Sequence, residues 1–318
     1  MLDEFPFLRA LYHRPDDDGL RLIYADWLDD RGDPRGEYLR REVESRGRTG
    51  SGKRKSELSA RVAELAANLD SRWLGRIWQS RDMPPGVRLD LTVVADGKRS
   101  IEVRGDGVDV VLLVEGQPVA LNWDDSNGSI GQYLVFTGHT PDADYARQLA
   151  GFVEGEIDAA RSLADQIEPL LAHFVPGTYC LRYTPSAAAR DIGTLEYAHQ
   201  SAANFQLENY YPYEQGNLVC TQMTETLIDN RVMYFRRQIR TGQRPIILTA
   251  SAEGAWCEFV IDGHHKLAAY DREQVSPAVL SIVRWDAPAI TLKEGLGYLP
   301  TGHPGIAEYR RVKRPHRP

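Results

Sequence analysis

Apolar positions in residues 3–46 recur every three to four residues: Phe5, Leu8 and Leu11; then Leu20, Ile23, Tyr24, Trp27 and Leu28; then Tyr38, Leu39 and Val43. Each set forms one stripe, so three short helices are expected. Pro15 and Asp16, Asp17 and Asp18 open the second, Gly32-Asp33-Pro34 ends it, and acidic residues stand at the helix starts, where the dipole favours them. Residues 56–78 return to helical spacing, with Leu58, Val62, Leu65 and Leu69 on one face. After Pro84-Pro85-Gly86 the period shortens. Residues 87–94, 100–103, 108–114, 119–123 and 133–136 are alternating or β-branched runs separated by Gly, Asp and Asn turns, which predicts an antiparallel meander.

Residues 142–174 read as helical, with Leu149, Phe152, Val153, Ile157, Leu163, Ile167 and Leu170 inward, and residues 177–183 read as a strand. From 185 to 222 the chain is polar and aromatic, and its period is lost. The pattern then sharpens into a helix over 229–240, strands over 245–250 and 256–261, a helix from His264, and an apolar run over 278–284. The expected class is α+β, in three parts: a small N-terminal helical module (1–82), an antiparallel sheet with helices (83–176) and a C-terminal α/β core (177–318).

The chain has 318 residues, 42% of them hydrophobic, and a formal net charge of −7. This is enough to bury a sizeable core, and the negative balance argues against wholesale attraction to nucleic acid or membrane, so any phosphate-binding surface is local. The three cysteines, Cys180, Cys220 and Cys257, are odd in number and widely spaced, which fits reduced, cytoplasmic protein better than a disulfide framework or a metal clip. Neither an export signal nor a membrane-length apolar run is read from the sequence.

The most chemically suggestive stretch is Asp262-Gly263-His264-His265-Lys266. A glycine between an apolar strand and a helix lets a ligand approach the backbone, and the first amides of the helix have no partner within it. Such a spot attracts anions, and Lys266, a cation in the first turn, would gain a partner from a bound phosphate. Adjacent histidines point about 100° apart on a helix and, with no third ligand at suitable spacing, do not suggest a metal site. One would donate to phosphate while the other packs or caps. Asp262 either meets the magnesium carried by a nucleotide or caps the helix. Of Arg236, Arg237, Arg240 and Arg244, one or two could reach the phosphates, Arg244 among them.

The order of helix 229–240, Gly242, Pro245-Ile246-Ile247-Leu248, Phe259-Val260-Ile261-Asp262-Gly263-His264-His265-Lys266-Leu267 and the 278–284 run resembles the nucleotide-binding core of the ParB/sulfiredoxin superfamily. The resemblance covers about a fifth of the chain. It implies a nucleoside di- or triphosphate with Mg2+ bound at Asp262, Gly263, His264, His265 and Lys266, with Gly263 and Lys266 on the glycine and basic positions of the family's phosphate turn. Two departures matter: His264 stands where sulfiredoxins carry the catalytic cysteine, and lysine replaces arginine, which gives up bidentate phosphate contacts. The Asp-Gly-His turn is similar to that of the superfamily's free-serine kinases, which points to phosphoryl transfer or a nucleotide-dependent switch. Glu225, Asp229 and Glu258 are the candidate bases. The alternative is a non-catalytic interaction or regulatory protein that keeps the fold without the chemistry.

At the other end, Arg21-Leu22-Ile23-Tyr24-Ala25-Asp26-Trp27-Leu28-Asp29-Asp30-Arg31-Gly32-Asp33-Pro34-Arg35-Gly36-Glu37-Tyr38-Leu39-Arg40 resembles the repeat-companion domain, a helical module of bacterial paralogous families. It implies no activity, and its charged run reads as caps and solvated faces or as a protein-partner surface. Gly47 to Lys53 matches most of a P-loop but is followed by Arg54 and preceded by a helix, so it reads as a linker. Tyr210-Tyr211-Pro212-Tyr213 reads either as a stacking wall for a base or as a loop anchor, and the basic tail from Arg310 is expected to fray.

Overall fold

The computed structural model describes residues 4–47, 53–79, 87–98, 100–125, 131–136, 157–158, 160–187, 196–198, 206–207, 217–223, 226–255 and 257–313. The chain divides into two compact units, one of residues 1–85 with 89–91, the other of residues 86–88 with 92–318.

The first unit is helical: α1 (Phe5–His13), α2 (Asp18–Asp29), α3 (Arg35–Arg46), α4 (Lys53–Ala67) and α5 (Ser71–Gln79). Asp17 caps α2 by accepting the Leu20 amide at 3.0 Å, and Gly36 brings α3 against α2, since a Cβ there would lie 2.9 Å from the Ala25 carbonyl. Tyr24, Tyr38 and Trp73 pack ring against ring, with Trp73 Nε1 donating to Tyr24 Oη at 3.0 Å. The Arg21 side chain is fully buried and donates to the carbonyls of Pro15 and Ile77. Much of the charged N-terminal motif therefore serves its own fold: Arg35 bonds Asp33 and Glu4, and Arg40 bonds Asp26 and Asp29. The single helix expected over 56–78 is two, because Asp70 accepts the Trp73 amide at 2.8 Å and starts a new one. Ile23, expected on the inward stripe of α2, faces out at 56% exposure.

The strand-bearing part of the chain holds two sheets. Its strands are β1 (Arg88–Val94), β2 (Ile101–Gly105), β3 (Asp109–Val114), β4 (Gln117–Asp125), β5 (Gly131–Phe136), β6 (Gly177–Thr184), β7 (Glu196–Ala198), β8 (Gln206–Leu207), β9 (Asn217–Met223), β10 (Ile246–Ala252), β11 (Cys257–Asp262) and β12 (Ala278–Arg284). β2 to β5 form the expected antiparallel meander, extended by β8. β1, read as part of that meander, belongs instead to a seven-stranded mixed sheet of order β1-β6-β12-β10-β11-β9-β7. Alternation shows that a strand has two faces but not which sheet it joins. In the described part of the 142–174 segment the helix is two single turns, α6 (Leu163–Gln166) and α7 (Glu168–Leu171). Ser162 caps the first, and Pro169, lacking an N–H, cannot extend it.

One apolar core joins the sheets across the boundary expected at 176: Val103, Leu112 and Ala120 share a cluster with Leu248, Phe259 and Leu280. The other face of the seven-stranded sheet is covered by α8 (Asp229–Arg240) and α9 (His264–Glu273), through Val232, Ile239, Leu267 and Tyr270 against Ile247, Val260 and Val279. Two C-terminal helices, α10 (Leu292–Tyr298) and α11 (Gly305–Val312), cover the outer face of the meander, where Tyr309 meets Trp123 edge to face at 5.3 Å. The tail expected to fray from Arg310 stays helical to Val312, and Lys313 donates to Asp109 at 2.9 Å. The architecture is α+β. No described helix is long and apolar enough to cross a membrane.

Candidate functional site

β10 lies at the middle of the large sheet, every residue buried, antiparallel to β11 and parallel to β12. β11 ends at Asp262, opposite Leu248, and the chain turns at Gly263 into α9. Gly263 has φ +104°, and a Cβ there would lie 3.2 Å from Ile247 Cα, so both conformation and proximity demand glycine. No side chain caps α9, and its first intrahelical bond runs from Leu267 N to Gly263 O. The expected strand-to-helix turn is thus in place, with the early amides of α9 left without a side-chain cap.

The residues around it differ from expectation in what they touch. Lys266 is buried, and its Nζ donates to Asp262 Oδ2 and to the Ile246 carbonyl, each at 2.9 Å. The anion that this misplaced cation requires comes from the chain itself. Asp262, accordingly, neither caps α9 nor stands free.

Both histidines use Nε2 as an acceptor. His264 takes the Thr221 amide of β9 at 3.2 Å, with Thr221 Oγ1 at the same distance, and Thr221 Oγ1 in turn donates to the Val260 carbonyl. Burial pushes the His264 imidazole down to about 4, against the pull of nearby Asp262. His265 accepts the Ile228 amide at the start of α8 at 3.0 Å. Burial lowers its pKa, and the Arg231 charge lowers it further. The two rings thus tie α9 to β9 and α8 in their neutral form.

Arg244 donates to the carbonyls of Ile239 and Gln243, closing the C-terminal end of α8. Arg236 and Arg240 converge on Glu273 at 2.5 and 2.7 Å, and those bonds, Arg240's foremost, hold its carboxyl below the usual range. Of the candidate bases, Asp229 is exposed and pairs with Arg272 at 3.4 Å. Glu258 sits in a buried cross-sheet cluster, accepting from Thr249 at 2.5 Å, Ser281 at 2.6 Å and Arg182. Glu225, Tyr210, Tyr211, Tyr213 and residues 48–52 lie outside the described residues.

Sequence reasoning missed β9, and with it Thr221, the partner of His264. The signal was the short apolar run Leu218-Val219-Cys220 inside a polar segment. It also missed Arg231, exposed in the first turn of α8 beside the His265 ring. Among the described residues no group of three or more His, Cys, Asp or Glu is placed to hold a metal ion. The chain matches no family model, no curated protein and no solved structure.

Proposed function

We propose that the Gly263 turn binds the phosphates of a nucleoside di- or triphosphate on the early amides of α9. The observation that carries the reading is a left-handed glycine followed by a ten-residue helix whose start no side chain caps. Free amides and the positive end of the helix dipole together favour an anion. Lys266, bonded inward, cannot also neutralise that anion. Arg231 takes the role in this reading: it is exposed, and its helix start is tied to α9 through His265 and the Ile228 amide. Magnesium would arrive on the phosphates, and Asp262, the one carboxylate of the turn, would meet it by exchanging its bond to Lys266.

A second reading, an interaction module that keeps the fold without the chemistry, draws on the same geometry. Lys266, Asp262 and Glu258 are all satisfied inside the protein, and both histidines serve as acceptors for backbone amides.

Calorimetry with ATP, ADP, CTP and GTP, each with magnesium, separates the two. The nucleotide reading expects binding that Arg231→Ala weakens by about tenfold or more, the loss of one charge-assisted contact. Absence of binding at millimolar nucleotide removes it and leaves the interaction module.

A further inference from the structure

Of the eight large hydrophobic side chains that are exposed among the described residues, five fall on two helical segments: Leu22 and Ile23 on α2, and Ile228, Met233 and Tyr234 at the start of α8. Scattered exposed hydrophobics are ordinary, but two concentrated patches are not. The patches carry opposite charge. Residues 16–33 hold seven aspartates and two arginines, five of the aspartates being paired with Arg14, Arg35, Arg40 or Arg46 and Asp16 and Asp30 having no such partner among the described residues, whereas residues 228–244 hold five arginines and one aspartate, with Arg236 and Arg240 paired to Glu273.

Helical spacing puts these residues side by side. On α2, Ile23, Asp26 and Asp30 share the stripe opposite the buried Arg21, Tyr24 and Leu28. On α8, Met233, Tyr234 and Arg237 share the stripe opposite the buried Val232 and Ile239, and Arg231 flanks it. Arg231 and Arg237 are exposed and have no carboxylate partner among the described residues, and neither does Asp30.

We infer that α2 of one copy of this chain docks on α8 of a second copy, with Leu22 and Ile23 against Met233 and Tyr234 and with Asp30, beside the Arg40-paired Asp26, facing Arg231 and Arg237. Each surface offers what the other lacks: a small apolar centre, excluded from water on contact, and a charged margin of opposite sign that sets orientation and encounter rate. The contact joins unlike surfaces, so it is heterologous. With so few apolar side chains on each side it is a weak association, strengthened at low salt because the charges lie at the rim. This goes beyond the nucleotide reading, with which it shares only Arg231.

Sedimentation velocity over a range of chain concentrations at low and high salt tests it. Wild type should shift from monomer towards larger species as concentration rises, and less so in high salt. Arg231→Glu with Arg237→Glu should weaken self-association by at least about tenfold, as should Asp26→Lys with Asp30→Lys, while circular dichroism shows each variant folded. The decisive arm is the equimolar mixture of the two variants, in which the reversed charges face each other and association should return. A wild type that stays monomeric to millimolar concentration overturns the inference. So does unchanged association of either variant, or a mixture that stays monomeric. If α8 instead binds a single-stranded oligonucleotide while the chain stays monomeric, the face serves a polyanion and the inference fails.

Discussion

Lys266 Nζ reaches back across Gly263 to the carboxylate of Asp262, 2.9 Å away, and bonds the Ile246 carbonyl at the same distance. The left-handed glycine makes this geometry, folding the end of β11 over the first turn of α9. The ion pair joins a strand end, a helix start and the neighbouring central strand at one nearly water-free point.

Lys266→Met should therefore act on stability. It leaves the Asp262 carboxylate and a strand carbonyl without their donor in a largely buried place, at a cost of about 3 kcal/mol. Urea denaturation should show a lower midpoint with little change in slope, and Asp262→Asn in the same chain should restore part of the loss. An unchanged midpoint for Lys266→Met would show that water replaces the ammonium freely.

The His264 imidazole sets a pH dependence. In the unfolded chain it takes up a proton near 6.5, while in the folded protein burial holds its pKa down to about 4. Its contribution is thus fully present above pH 6.5 and is lost as pH falls from there towards about 4, in total roughly 3 kcal/mol. His265, also shifted down, acts in the same direction. Denaturation midpoints at pH 7, 5.5 and 4 should fall in that order, and less steeply in His264→Gln. Equal slopes in the two proteins would sink the assignment.

Much of this region is legible from sequence and some of it is not, for physical reasons. β10, β11, α9 and β12 announce themselves through β-branched runs and one glycine, since a buried strand and a tight turn leave few alternatives in residue type. The partner of Lys266 is different. A cation at a helix start signals a nearby anion, but whether that anion is a ligand or the preceding aspartate depends on the torsion at Gly263, which composition does not reveal. Thr221 was hidden more deeply, because β9 borrows its place in the sheet from β11, to which it pairs in parallel.

In the helical unit, Gly36→Ala should force α2 and α3 apart. The added Cβ would lie 2.1 Å from Asp29 Oδ1 and 2.9 Å from the Ala25 carbonyl, and while a side chain can swing away, backbone cannot. A loss of about 1–3 kcal/mol is expected, read as a lower melting temperature. Ala at the same melting temperature as wild type would show the helix pair to be loosely held.

Cys180, Cys220 and Cys257 are all buried, and burial raises the Cys257 thiol well above its ordinary pKa. Ellman's reagent should label none of them quickly until denaturant is added, and the protein should not reduce cysteine sulfinic acid, a reaction that needs an accessible thiolate. Rapid stoichiometric labelling of the native protein, or turnover of an oxidised peroxiredoxin that Cys257→Ser abolishes, would contradict this.

The cover over the meander has a bearing on how the chain is made. Val111, Leu113 and Leu121 are shielded by Ile290, Leu299 and Tyr309, and Asp109 is held by Tyr309 and Lys313, about two hundred positions further along. Synthesis runs from the N-terminus, so a nascent chain shows this apolar sheet face to water or to a chaperone until residues beyond 290 clear the ribosome. Translation that stalls before those residues would leave a product with most of its strands and an open, adhesive surface, the kind of species that quality-control proteases remove.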